Sequence, residues 1–446
     1  MAFVPVVRHC DRIPSQSVGM VAAVMLTVGA LTLLGLAAFD WFMKRDILAP
    51  GVLFCGMWAL TLFALALSGS WYYPVSTAAV AIYVYGGLAF CVGSWIISAL
   101  VRPTMHRSVP QVRDVVQSQS QLVLVGFMVA LEFILAVPYI RGQLSIAGST
   151  SWRTALQIIR VQSLMMQAEG PASSLSPVAN APAVALAAAV AAWYIRGTKP
   201  MGRILAVVAV GGAVVVNALT GAKISIVTLI ITLAAMSALQ AKGHSVQKLA
   251  GGLIMGLTVF AIGTLLINFA FVPSAGVGGT IRLAGQTTLD YWLGGPAAFS
   301  NVVAQPQGFE STQPLMTFFL NTARSLGLRN TSPALHAAYS AIGAGRDTNV
   351  YTIYFTYFKD HGWLGMVGLC ALLGGSLTLL WRSARRGTVL SLLMYALCIP
   401  SLLLSIQAEH FWTDLNELIK LLALLGLVFA TWKTKARRGA SVHRMT

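Results

Sequence analysis

The stretch "GRDTNVYTIYFTYFKDHGWLGMVGLCALLGGSLTLLW", Gly345 to Trp381, passes from polar and tyrosine-rich to almost wholly apolar within one helix length. Its second half is long enough to cross a bilayer core, which needs about 20 apolar residues. Comparable runs lie near 18–39, 48–68, 75–100, 121–138, 180–195, 202–219, 224–240, 249–272, 388–405 and 415–432, and with 362–381 they make about eleven predicted spans. Composition agrees. The 446 residues are 57% hydrophobic and 10% charged, with mean hydropathy +0.75, whereas soluble domains carry roughly 25% charged residues. The predicted fold class is an all-α polytopic membrane protein. The first run ends in "GLAAFD" (Gly35 to Asp40), which looks like a signal-peptide cleavage site, but the run is long for a leader and is read as a span.

A net charge of +17 suggests nucleic acid in a soluble protein; here positive-inside topology absorbs most of it. Lys44 to Asp46, Arg102, Arg107, Arg113, Arg196, Lys199, Arg203, Lys242, Lys248, Arg382, Arg385, Arg386 and the tail Lys433 to Arg438 fall in alternate connections, which are therefore cytoplasmic. That leaves 139–179 and 273–361 as two large loops on the opposite face. The five cysteines show no ligand spacing, and four lie in spans as packing residues. The two halves share no repeat of the inverted-transporter kind. Ser151 to Gly170 has apolar positions near helical spacing; it either lies on the outer membrane surface or packs as an extramembrane helix.

The outward loops hold Arg141, Arg153, Arg160, Arg282, Arg324, Arg329 and Arg346, and no lysine before Lys359. Arg presents a planar fork to phosphate or carboxylate, which Lys does not. The bias points to an anion bound on the outer face; for any one of them, solvation or pairing with Asp290, Glu310 or Asp347 is the alternative. Lys223 opens a span after "LTGA" and is either functional or a snorkelling anchor. Within the spans Glu132 is the main charge.

"LTGAK" (Leu219 to Lys223), "DYWLGGPAAF" (Asp290 to Phe299) and "NVYT" with "DHGWLG" (Asn349 to Gly365), in that order and span context, resemble the Wzy-type oligosaccharide repeat-unit polymerases (O-antigen polymerases). The likeness covers roughly the last half of the chain, with "DILAPGVLF" (Asp46 to Phe54) at the second span. Two positions depart from it: Ala222-Lys223 stands for Ser-Arg, and His361 for an aromatic residue. The related O-antigen ligases carry a His where this chain has Thr348, which lowers the ligase alternative.

The resemblance implies a membrane glycosyltransferase of GT-C-like architecture in the bacterial inner membrane, with two large periplasmic loops containing short helices. It would transfer a glycan from undecaprenyl diphosphate to a sugar hydroxyl of a new lipid-linked unit. No cofactor or metal is expected, and no nucleic acid. Partners would be undecaprenyl-diphosphate-linked oligosaccharides, the lipid bilayer, a chain-length regulator and a flippase. Arg282, Arg324, Arg329 and Arg346 are the expected diphosphate or acidic-sugar binders, with Arg153, Arg160 and Lys223 in support. Asp347 is the first-choice base, held ionised by the adjacent Arg346; Asp290, Glu310, His336 and Asp360 are runners-up. Asn349, Tyr351, Tyr354 and Tyr357 would hydrogen-bond and stack on sugars, or form an aromatic belt. "RDTNVYTIYFTYFKD" reads as an outward, helical lead-in, with Thr352, Thr356 and Lys359 on one face and Tyr351, Tyr354 and Phe358 on another. The span proper begins near Gly362. A flippase without chemistry and a structural scaffold are the readings from other classes.

Overall fold

The computed structural model describes residues 16–101, 119–147, 181–197, 200–219, 223–240, 245–271, 276–304, 340–348, 350–411 and 415–430. It is helical apart from one two-stranded hairpin: α1 Gln16–Lys44, α2 Pro50–Leu67, α3 Thr77–Leu100, α4 Gln119–Ala147, α5 Ala181–Ile195, α6 Pro200–Leu219, α7 Lys223–Leu239, α8 Ser245–Phe271, α9 Gly276–Ala304, β1 Ser340–Gly343, β2 Arg346–Thr348, α10 Ile353–Arg385, α11 Val389–Leu403 and α12 Leu415–Ala430. Every predicted apolar run falls on a helix. Among the described residues eight helices are long and apolar enough to cross a membrane, and α5, α7 and α12 are shorter, with 15, 17 and 16 residues. The chain is an all-α polytopic membrane protein.

Among helices in lipid, association rests on close packing and not on hydrophobic expulsion, so small residues sit where backbones approach. The contact of α3 with α10 is of this kind. A methyl group on Gly93 would strike the Ala371 carbonyl, and one on Gly374 would strike the Phe90 carbonyl. Both obstacles are backbone, so neither can rotate away.

The basic connections gather at one end of the bundle. There Asp40 and Lys44 form a buried pair at 2.8 Å, with side chains 0% and 4% exposed. Trp95 Nε1 donates to Asp40 (2.9 Å), Lys44 to Ser94 (2.5 Å), and the Ser94 and Thr378 hydroxyls share a bond of 2.6 Å. Beside them Asp46 accepts from Arg385 (2.5 Å) and Trp381 Nε1 (2.9 Å), and Arg382 caps α3 through the carbonyls of Val101 and Ser98. A buried pair needs this many partners to offset its desolvation. Asp40, which reads in the sequence as the mere end of a span, is thus a second charge inside the bundle beside Glu132.

The loop predicted over 273–361 opens with a helix, α9, that runs for 29 residues; its Gly, Gln and Thr content hides it from an apolar-run search. One expectation for this segment is corrected. The lead-in to α10 is not a continuous outward helix. Arg346–Thr348 is a strand, and the helix starts only at Ile353 after Thr352. At Gly362 the backbone takes φ 64°, ψ −163°, a region open essentially to glycine alone. The Cβ direction of Gly365 then meets the Tyr357 carbonyl at 4.0 Å, although eight residues of straight helix would separate them by about 12 Å. Two helices meet there, and the candidate span Ile353–Arg385 is kinked at Gly362. Nor does the lead-in have a free face. Thr352, Ile353, Tyr354, Phe355, Thr356 and Tyr357 are all buried.

Tyr354 lies over Gly86 of α3, whose missing side chain makes room for the ring. Its neighbours are Trp58 (4.7 Å between centroids), Tyr83 (5.6 Å) and Phe54 (6.2 Å). Phe54 stacks on Phe90 at 4.3 Å, and Tyr83 meets Phe299 of α9 at 5.7 Å. Trp58 Nε1 donates to Ser405 Oγ (3.1 Å), the Tyr83 hydroxyl to Pro296 O (2.8 Å) and the Tyr354 hydroxyl to Tyr83 O (3.2 Å). These bonds satisfy the polar tips that large aromatic residues carry into a core.

Candidate functional site

At the end opposite the basic cluster, α9, the α2–α3 connection, the β1–β2 hairpin and the stretch after α11 converge. The hairpin pairs Ser340 with Thr348, Ala341 with Asp347 and Gly343 with Arg346, with an irregularity between Ala341 and Gly343. Gly345 closes its turn at φ 65°. Tyr73 N donates to Ile342 O (2.9 Å), tying the hairpin to the α2–α3 connection. Asn301 of α9 donates to Ser340 Oγ (3.0 Å) and Ala341 O (2.6 Å). Ser300 Oγ accepts from Ser76 N (2.7 Å) at the start of α3.

Five residues of the "DYWLGGPAAF" motif make contacts at this end. Asp290 faces Arg346. Gly294 and Gly295 let α9 approach Ile342 and the Ile406 carbonyl, within 3.2 and 2.7 Å of where their Cβ atoms would stand. Pro296 offers its carbonyl to Tyr83, and Phe299 joins the aromatic cluster.

Arg346 is the centre of this end. Its Nη1 lies 2.8 Å from Asp290 Oδ1, with the two side chains 20% and 22% exposed. The guanidinium sits 4.8 Å from the Tyr72 ring and 5.7 Å from the Trp71 ring. The Tyr72 hydroxyl donates to the same Asp290 oxygen at 3.0 Å. Burial first, and then the Asp290 charge, push the Tyr72 phenol well above its ordinary value, so it stays a donor. Gly343 leaves the space that Arg346 Nη2 occupies, 2.6 Å from its absent Cβ. A guanidinium fixed on one edge by a carboxylate and on its face by rings presents its remaining N–H groups in a set direction.

The expected pairing of Arg346 with Asp347 is corrected. Neighbours on a strand point to opposite faces, and Asp347 is exposed while Arg346 turns toward α9. Tyr354 is enclosed by the aromatic cluster, so no ring face is open to a sugar. Tyr351 is also buried, stacked on Phe355 at 4.4 Å; burial raises its phenol, against the opposing effect of a bond to Ser340. Tyr357 donates to Glu409 Oε1 (3.4 Å), which also accepts from Phe411 N (2.8 Å). Glu409 is a buried carboxylate at this end that the sequence reading did not single out; "QAEHFWTDLNE" shows it only as one acid in an outward connection. Arg282 is exposed on α9, two turns before Asp290. Arg153, Arg160, Arg324, Arg329, His336, Asn349 and Glu310, together with the helix expected in 151–170, lie outside the described residues, as does the side chain of Lys223. Among the described residues no three His, Cys, Asp or Glu side chains are grouped as metal ligands.

The fold and this end define a multi-pass helical membrane protein with a polar, arginine-centred platform at one end of the bundle. Comparison with protein-family models, with curated proteins and with solved structures gives no match.

Proposed function

We propose that the protein is a membrane glycosyltransferase that joins undecaprenyl-diphosphate-linked oligosaccharide repeat units into a surface polysaccharide, at the periplasmic face of the bacterial inner membrane. The observation that carries this reading is the convergence of two separate segments, α9 and the α2–α3 connection, on the Arg346 guanidinium of the hairpin, at the end of the bundle away from the basic connections. The order of the three sequence motifs supports it.

In this reading the acceptor hydroxyl attacks the anomeric carbon of the donor glycan. The bond to undecaprenyl diphosphate breaks, that diphosphate leaves with the electron pair, and a base takes the hydroxyl proton. The leaving group brings its own activation, so the protein's part is orientation, charge stabilisation and proton removal. Arg346, positioned by Asp290 and Tyr72, would stabilise charge on the diphosphate, with Arg282, Arg324 and Arg329 adding to the field. Asp347, on the open face of β2, remains the first-choice base.

The test is complementation of a strain lacking the gene, with surface glycans resolved by length. Arg346→Ala or Arg324→Ala is expected to yield single repeat units in place of long chains. Full-length polymer from both variants would overturn the diphosphate site. Accumulation of lipid-linked units on the cytoplasmic side would favour a flippase instead.

A further inference from the structure

Glu132 of α4 is 1% exposed, and neither carboxyl oxygen has a hydrogen-bond partner among the described residues. It stands about 17 Å along the helix from Gln121, and the residue it faces, Gly212 of α6, about 18 Å from Pro200, so both are near the middle of their spans. A side chain at Gly212 would collide with Glu132 Oε1 and its carboxyl carbon. The glycine is therefore the seat of this carboxyl. Among the described residues no cation reaches it. Glu417 and Lys420 of α12 pair with one another at 2.7 Å, Arg203 of α6 is exposed near its start, and Arg141 of α4 is exposed more than two turns away. The neighbouring stretch of α5, "APAVALAAAVAAWYI", holds no charge.

A carboxylate left alone in such surroundings is very unfavourable, whereas a neutral acid is much less so. A residue kept only for packing would be apolar at this position. We propose that Glu132 is a membrane-embedded proton-binding site, which carries its proton in the resting protein and releases it only when water or another base reaches the α4–α6 contact and takes the proton. The proposal does not rest on the polymerase reading; a chain that makes no polymer can still have such a site.

Dicyclohexylcarbodiimide, which is membrane-permeant, tests it on the full-length protein in native membranes. The acid's proton moves to a carbodiimide nitrogen while its oxygen bonds to the central carbon. The acyl group then shifts from oxygen to nitrogen, giving a stable N-acylurea with no leaving group. Peptide mass spectrometry is expected to find the adduct on Glu132 and to find it lost in Glu132→Gln. Infrared spectroscopy of the purified protein is expected to show a protonated-carboxyl stretch that moves on deuteration and disappears in Glu132→Gln, with the melting temperature unchanged. No adduct at Glu132 while the reagent labels another carboxyl would overturn the proposal. So would wild-type protein lacking that stretch, or a large fall in melting temperature in the Gln variant, since that marks an ionised, paired carboxylate.

Discussion

Arg346 Nη1 and Asp290 Oδ1 are 2.8 Å apart, joining residues 56 positions distant in the chain. Removing Arg346 leaves Asp290 half-buried with only the Tyr72 hydroxyl to offset its charge, and removing Asp290 leaves Arg346 with only the two rings. Arg346→Ala or Asp290→Ala is expected to cost about 1–3 kcal/mol, and Arg346→Lys, which keeps the charge and loses the flat face over Tyr72, less. Thermal unfolding in detergent of both single variants and the double variant gives the coupling. Strict additivity would mean that the pair does not hold the platform together.

The α3–α10 contact makes a sharper prediction because the obstacle is backbone. Gly93→Ala and Gly374→Ala are each expected to destabilise by about 1–3 kcal/mol, the range for overpacking. Gly368, in the same helix as Gly374, has open space around it. Gly368→Ala is therefore expected to be neutral, or to stabilise by up to about 1 kcal/mol through helix propensity. Melting temperatures of the three variants, taken side by side, decide it.

Gly362→Ala places a side chain where the backbone excludes one, at an expected cost of about 1–3 kcal/mol. If the turn were instead a dispensable irregularity, the alanine variant would melt with wild-type protein. Limited proteolysis near His361 gives an independent reading of whether the turn has opened.

Tyr354 separates a packing role from a chemical one. Tyr354→Phe keeps the ring over Gly86 and loses one hydrogen bond, about 1 kcal/mol, and is expected to leave glycan length unchanged. Tyr354→Ala opens the cluster and is expected to cost about 3–5 kcal/mol. A stable Phe variant that no longer lengthens glycan would show that the hydroxyl does chemistry.

Tyr72 and Tyr351 give a pH dependence whose sign follows from burial. Both phenols lie above the ordinary value of 10.0 in the folded protein, so the unfolded chain loses these protons first. Their contribution is fully present below about pH 10 and declines as pH rises beyond it. Melting temperature is expected to be insensitive to these groups from pH 6 to 9, as about that interval lies below both phenols, and to fall in more alkaline buffer. The fall should be smaller in Tyr72→Phe.

The spans were legible because apolar length is a property of contiguous sequence, and each run in the chain fell on a helix. Gly362 was legible as a boundary for a similar local reason, as the glycine preceding "WLGMVG". What could not be read was pairing. Asp347 adjoins Arg346 in sequence and seems its natural partner until the strand turns the two to opposite faces, while Asp290, the actual partner, comes from another element. Tyr354 reads as a ring for stacking on sugars because its helix is expected to face outward; only the depth of Gly86 in α3 shows that it is enclosed. Glu409 and the Asp40–Lys44 pair escaped notice because a single acid in a connection carries no sign of its burial.

The buried lead-in between the hairpin and Gly362 has a consequence for variation. Arg346 lies a short distance before Tyr354, which is wedged over Gly86, and its hairpin is pinned to α9 and to Tyr73. Its position is inherited from the membrane core. A change of packing at Gly86 or Tyr354 is therefore carried to the guanidinium, so a substitution deep in the bundle can shift the platform without touching it.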